Sequence, residues 1–91
     1  VRQNALKSDW SRDRILKELE NNKVPAFSGS CSEIYLEKCF LKAGIRPKDR
    51  LKVAKYLGET SLMFLVHPTI NEEEMRKYAD KIKLILMNAT R

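Results

Sequence analysis

The stretch TSLMFLVHPTINEEE, Thr60 to Glu74, decides the fold of this chain because its pattern changes halfway along. Its first half holds the unbroken apolar run 62–66 closed by Pro68, which predicts a short strand covered on both faces. Its second half begins with Asn71, whose side chain can cap a helix while Glu74 reaches back to the cap residue. We therefore predict a central strand that leads directly into a terminal helix.

Upstream of this stretch, the sequence predicts an amphipathic helix followed by an edge strand. Residues 12–21 place apolar side chains on one face, with Ser11 as the cap and Arg12 among the side chains that face water. The asparagines at 21 and 22 suit the left-handed turn that ends such a helix. Residues 24–27 then read as a short strand, and the proline within them favours an edge position.

The loop SGSCSE, residues 28–33, leads into a second predicted helix. Ser30 and Glu33 have the spacing of a capping box, and the helix is expected to run to about Ala43, with Gly44 ending it. More than half of its circumference is apolar. Since a small domain cannot bury that much by itself, this helix predicts a neighbouring domain or subunit.

The predicted fold class is α+β, in the order αβααβα. A further helix is expected from Pro47 to Gly58, so that about four helices cover a short antiparallel sheet of two to three strands. Two strands alone make a marginal sheet, so we expect a third strand at the abrupt, polar start at Val1. The 91 residues are predicted to form one small domain, 1–91, cut from a longer chain.

Composition limits the function classes. The net charge of +6 raises the prospect of a polyanionic partner, and a free-standing basic module that binds nucleic acid is the alternative function. However, basic and acidic residues are interleaved, which favours solvated helix faces. No apolar run reaches the roughly 20 residues of a membrane span, and no signal peptide is visible. Two cysteines eight residues apart match no zinc spacing and favour a reducing, cytoplasmic setting, so we expect no metal and no membrane.

Four features could carry chemistry, each with a structural alternative. The SGSCSE loop could bind an anion at a helix N-terminus, or Ser30 could simply cap that helix. Cys31 in the first helical turn could be a nucleophile if His67 served as its base, whereas Cys39 reads as a core residue. His67 could contact a ligand or be a hydrogen-bonded turn residue. Tyr35 could present its hydroxyl near the loop or pack in the core.

Three stretches occur in a characteristic order: SRDRILKEL, VPAFSGSCSEIYLE and RPKDRLKVAKYLGETSLMFLVHPTINEEEM. Together they resemble the C-terminal segment of the DegT/StrS-type aminotransferases, most specifically in GSCSEIYLE and LGETSLMFLVHPT. These are fold type I enzymes that use pyridoxal phosphate (PLP) to aminate nucleotide-linked keto-sugars for surface polysaccharides and antibiotic sugars. Lys23 stands where many members have a glycine, which implies some backbone strain.

The resemblance implies a small domain that closes over a larger α/β domain, which holds PLP and the Schiff-base lysine. The parent is expected to be a cytoplasmic homodimer that takes a nucleotide sugar and an amino-acid donor and binds no nucleic acid. The isolated 91 residues are expected to be inactive, with no catalytic residue of their own. The SGSCSE loop is expected to face the cleft, although Ser30 and Cys31 stand where members often carry a histidine. The substrate-binding candidates are Ser28, Ser30, Cys31, Glu33, Tyr35 and, more weakly, His67.

Overall fold

The computed structural model describes all 91 residues, Val1–Arg91. It has four α-helices and one two-stranded antiparallel sheet, so the predicted α+β class and the order αβααβα are confirmed. Two single turns of 3₁₀-helix accompany them, at Gln3–Ala5 and Ile34–Leu36. The elements are α1 (Arg12–Asn21), β1 (Ala26–Phe27), α2 (Lys38–Lys42), α3 (Lys52–Thr60), β2 (Met63–Phe64) and α4 (Glu72–Ala89).

The body of the molecule is the layer where α1 and α4 pack together beside β1. Both helices begin where the sequence predicts: the Ser11 side chain accepts from the Arg14 N–H, and Asn71 and Glu74 form the expected capping box. Their facing apolar stripes bury a small core. The six buried apolar residues are Leu6, Ile15, Leu19, Val24, Ile85 and Ala89.

The turn after α1 is left-handed at Lys23 and not at either asparagine. Lys23 has φ of 58°, its N–H donates to Glu20 O at 2.9 Å, and the Val24 N–H donates to Leu19 O at 2.9 Å. These bonds satisfy carbonyls at the end of the helix in the usual way of a left-handed cap. The positive φ therefore confirms the backbone strain expected at Lys23.

The sheet is shorter and less covered than the sequence predicts. Ala26 pairs with Phe64, and Phe27 pairs with Met63, and no third strand joins them. The prediction that the run 62–66 is covered on both faces is wrong, because Met63 and Phe64 are 47% and 37% exposed. The residues that follow are also exposed, Leu65 at 45% and Val66 at 77%.

The middle of the chain departs most from prediction. No helix starts at the SGSCSE loop: Ile34–Leu36 form a single 3₁₀ turn, and extended backbone at Glu37 separates it from α2. The predicted capping box fails because the Glu33 carboxylate bonds to Arg50 and Tyr35 instead. Gly44 follows the end of α2 with φ of 70°, as expected of a helix stop.

The next helix, α3, also differs from its predicted limits. It begins at Lys52 and not at Pro47, and it continues through Gly58 to Thr60. Gly58 is therefore not a stop signal. An added Cβ there would lie 2.9 Å from Ser32 Cβ and closer still to Ser32 Oγ, so the missing side chain lets α3 approach the SGSCSE loop.

The molecule is elongated and exposes much apolar surface. Its radius of gyration is 16.5 Å, whereas about 12 Å is expected for a compact domain of this length. Apolar side chains of the middle segment such as Ile34, Leu41 and Ile45 lie in solvent, which confirms the predicted bare apolar flank although the helix that carries it is broken. Cys39, predicted to be a core residue, is exposed in the same segment.

Candidate functional site

The SGSCSE loop and the end of α3 enclose a pocket of about 260 Å³. Gly29, with φ of 98°, turns the chain there so that serine side chains gather on one side. Of the six substrate-binding candidates, Ser28 and Ser30 line this pocket, and the other four do not. Its lining residues are Ser28, Gly29, Ser30, Ser32, Leu57, Gly58, Ser61 and Met63.

Two residues that sequence reasoning assigned to other roles hold this pocket together. Gly58 lets α3 sit against Ser32, as described above. Arg12 does not face water: its side chain is 14% exposed, and Nη1 donates to Gly58 O at 2.9 Å and to Ser61 O at 3.2 Å. The guanidinium thus ties the carboxyl end of α3 to α1, where carbonyls without helical partners favour a cation. Helical periodicity gives no signal for these two hydrogen bonds, because Arg12 is 46 residues from Gly58 and 49 residues from Ser61.

Glu33, Tyr35 and Arg50 form a hydrogen-bonded cluster beside the pocket. Arg50 binds the Glu33 carboxylate with both Nε and Nη2 at 2.8 Å, and the Tyr35 hydroxyl donates to Glu33 Oε1 at 2.9 Å. The same hydroxyl accepts from the Leu51 N–H at 2.8 Å, so Tyr35 neither packs in the core nor points freely into a cleft. Arg46 supports the cluster by donating to Tyr35 O at 3.0 Å.

This cluster keeps Glu33 ionised. The bidentate Arg50 guanidinium, followed by the Tyr35 hydroxyl, lowers the pKa of Glu33 from 4.5 to about 2, against the opposing effect of partial desolvation. The paired carboxylate in turn raises the pKa of Arg50. A carboxylate held this way does not serve as a general base near neutral pH. Its evident effect is to fasten the SGSCSE loop to the residues before α3.

The remaining candidates are placed elsewhere. Cys31 is exposed, and its Sγ lies 3.7 Å from Glu37 Oε1. His67 Nδ1 accepts from the Thr69 N–H at 3.2 Å and lies 2.8 Å from Thr69 Oγ1, while the Ile70 N–H donates to His67 O at 2.9 Å. His67 is thus a hydrogen-bonded turn residue, the structural alternative considered above. No hydrogen bond joins its ring to Cys31, so the structure offers the thiol no base.

The structure also bears on three other features considered above: an anion site at the loop, a metal site and a membrane span. No α-helix begins directly after residues 28–33, so the loop offers neither a helix N-terminus for an anion nor a helix for Ser30 to cap, and both alternatives lose their premise. No three side chains of the metal-binding types lie together. None of the helices combines the length and the apolar character required to cross a bilayer.

Six of the eighteen basic residues form ion pairs with acidic residues. These pairs include Arg14 with Asp9 at 2.6 Å and Lys77 with Glu73 at 3.1 Å. Another pair joins Glu72 and Arg76, one helical turn apart on α4, at 2.6 Å. Basic residues paired with acidic neighbours in this way do not favour a nucleic-acid interface.

Comparison with known proteins identifies one informative relative. No protein-family model and no curated protein matches the chain. The X-ray structure of the aminotransferase from Psychrobacter cryohalolentis matches 98% of this chain with 53% sequence identity and a TM-score of 0.87. The matched residues make up 22% of that protein, so the chain spans about a fifth of its length. In sequence and in fold, these 91 residues are therefore similar to one segment of an aminotransferase.

Proposed function

We propose that this chain is the C-terminal small domain of a DegT/StrS-type, PLP-dependent aminotransferase that acts on a nucleotide-linked keto-sugar. The observation that carries the proposal is its likeness over 98% of its length to a solved aminotransferase. The stretches GSCSEIYLE and LGETSLMFLVHPT support the narrower family. The parent enzyme would be a cytoplasmic homodimer that supplies an amino sugar for polysaccharide biosynthesis, with an amino acid as donor.

PLP does not fit the residues of this chain. A lysine that forms a Schiff base needs a desolvated pocket to keep its amine neutral, and every lysine here is exposed. The largest hollow in the chain, of about 820 Å³, is open to solvent, and the two lysines that line it, Lys17 and Lys23, are both exposed. In the proposal, PLP and its lysine belong to the rest of the enzyme, and this chain closes over the cleft and contributes substrate contacts from the SGSCSE loop.

The serine pocket is suited to hydroxyl-rich ligands. Ser28, Ser30, Ser32 and Ser61 each offer a hydroxyl that can donate and accept, which matches the hydroxyls of a sugar or the oxygens of a phosphate. The Glu33–Arg50 pair and Arg12 fix two sides of the pocket, so its geometry is set before a ligand arrives. Closing this surface over a bound keto-sugar would orient the substrate and exclude water from the cleft.

The proposal is tested in the full-length enzyme with the variants S30A and Y35F and the control S8A. Ser8 is equally exposed but lies far along the chain from the pocket-lining residues. Loss of one hydrogen bond to substrate costs about 0.5–1.5 kcal/mol, so kcat/KM for the keto-sugar should fall roughly 2- to 13-fold in S30A. Y35F should reduce kcat/KM by loosening the loop, and S8A should leave it unchanged.

Two results would count against the proposal. Unchanged kcat/KM in both S30A and Y35F would remove substrate contact from this loop. Absence of amino transfer from any amino-acid donor to nucleotide-linked keto-sugars by the full-length protein would remove the substrate class. The 91-residue chain alone is expected to show no transamination, because it has no buried lysine.

A further inference from the structure

Arg12 reaches from α1 to the wall of the serine pocket without lining the pocket itself. A single nitrogen, Nη1, donates to both Gly58 O and Ser61 O, and these two residues are part of the pocket wall. On the side of α1, Nε donates to Asp13 Oδ1 at 2.6 Å, which holds the guanidinium plane in one orientation. Arg12 therefore acts on the pocket only through backbone atoms of its wall.

The carboxyl end of α3 is the part of that helix that is anchored in the body. Thr60, the last residue of α3, is its only buried residue, whereas Val53 and Leu57 are exposed. Few apolar contacts thus determine where this end lies, so hydrogen bonds to its carbonyls gain importance. A guanidinium is suited to this task, because the carboxyl end of a helix has carbonyls without helical partners and a partial negative charge.

The two fastenings of the serine pocket hold different parts of it. The ion pair of Glu33 and Arg50 joins the SGSCSE loop to the residues before α3. Arg12 joins the opposite end of α3, and Ser61 after it, to α1. Loss of the Arg12 hydrogen bonds would therefore let the wall that carries Ser61 shift against the body, while the loop stays fastened to the residues before α3.

We propose that Arg12 is a positioning residue for the keto-sugar, because it holds the Ser61 hydroxyl at its place in the serine pocket. The inference rests on the proposed function for the identity of the ligand. It also predicts selectivity between the two substrates. A keto-sugar has several hydroxyls that the serines can bind, whereas an amino-acid donor has no such row, so only the keto-sugar depends on the position of Ser61.

The test compares R12M and R12K with the control R14M in the full-length enzyme. The acceptor is the better of a UDP-linked and a dTDP-linked keto-hexose, and the donor is L-glutamate. Methionine and lysine have about the helix propensity of arginine, so α1 should persist in each variant. The control R14M removes the ion pair with Asp9 on the same helix and touches no pocket residue, so kcat/KM for both substrates should stay unchanged.

The Arg12 variants should affect the keto-sugar alone. R12M removes both hydrogen bonds and should lower kcat/KM for the keto-sugar about 10- to 100-fold, since a displacement of about 1 Å can cost on the order of 100-fold in rate. R12K keeps a charged donor on a shorter stem and should lose about 2- to 13-fold, as for one missing hydrogen bond. In both variants kcat/KM for L-glutamate should stay unchanged. If R12M gives no folded protein, a selective loss in R12K supports the proposal, and no loss in R12K overturns it.

A double-mutant cycle shows whether Arg12 acts through Ser61. S61A removes the hydroxyl and keeps the backbone carbonyl that Arg12 binds. If Arg12 positions this hydroxyl, the loss of kcat/KM for the keto-sugar in R12M/S61A should fall short of the product of the two single losses by a factor of about 2 or more. Losses that simply multiply would overturn the proposal.

Amide hydrogen exchange gives a readout that does not depend on activity. The Ser61 N–H donates to Leu57 O at 2.9 Å in the last turn of α3. In the full-length protein this amide should exchange about 10-fold faster in R12M than in wild type, and R14M should not change it. Unchanged exchange in R12M would overturn the inference whatever the activity.

The failures of the two proposals are distinguishable. If the wild type aminates the keto-hexose and R12M loses equally in kcat/KM for both substrates, the positioning role is overturned and the proposed function stands. If the wild type aminates neither keto-hexose, the proposed function and the ligand assigned to Arg12 are refuted. Faster exchange at Ser61 in R12M would then still support the hold of Arg12 on α3.

Discussion

Replacing Gly58 with alanine sets two opposing effects against each other. In a helix interior, Gly→Ala is favourable by about 0.5–1 kcal/mol, because glycine loses more backbone entropy on folding. Here the new Cβ would lie 2.9 Å from Ser32 Cβ and nearer still to Ser32 Oγ, and such overpacking costs about 1–3 kcal/mol. The clash outweighs the propensity, so G58A should lower the free energy of unfolding by about 0.5–2 kcal/mol.

The double variant S32G/G58A separates the two effects. Without the Ser32 side chain the clash disappears, and G58A should become stabilising by about 0.5–1 kcal/mol in that background. Urea unfolding followed by far-ultraviolet circular dichroism reports on α3, and fluorescence of the sole tryptophan, Trp10, which packs on the core, reports on the body. If G58A raised the urea midpoint equally in both backgrounds, α3 would not rest on the SGSCSE loop and the serine pocket would not have the shape described.

Two further predictions concern charge and backbone strain. Because the folded pKa of Glu33 is lowered to about 2, its contribution to stability is complete above the ordinary pKa of 4.5 and is lost as the pH falls from there toward 2. The urea midpoints of wild type and E33Q should therefore differ at pH 7 and converge near pH 2. R50A should return the pKa of Glu33, measured by NMR, toward 4.5. A difference between wild type and E33Q that does not change with pH would exclude the ion pair as the source of that difference. K23G should raise the free energy of unfolding by about 0.5–1 kcal/mol, because glycine relieves the left-handed strain at φ of 58°. The control K17G, within α1, should instead lower it by about 0.5–1 kcal/mol, and equal changes of the same sign in urea melts would contradict the strain at Lys23.

Local sequence determined the ends of the body helices and the order of elements. Caps such as Ser11 and Asn71 act within three residues, so their hydrogen bonds can be read directly from the spacing of side chains. The helical periodicity of residues 12–21 likewise places Ile15 and Leu19 on the apolar face, and both are buried. The fold class followed, because two strands between amphipathic helices allow few arrangements.

Tertiary structure alone decided the middle segment and the candidate site. Ser30 and Glu33 have the spacing of a capping box, yet Arg50 binds Glu33 across 17 residues and the helix does not form. A bidentate guanidinium provides a stronger hydrogen-bonded partner than a backbone N–H, so a distant contact overrides a local signal. Gly58 likewise reads as a helix stop, and only the approach of Ser32 shows that it is a packing residue.

The exposed apolar surface shows the remaining limit of local reasoning. The run 62–66 has the composition of a buried strand, but burial is a property of what lies opposite a side chain, and the 91 residues leave Met63 47% and Val66 77% exposed. Hydrophobic composition thus indicates which residues favour burial. Whether they are buried depends on contacts between residues far apart in sequence, which no local pattern encodes.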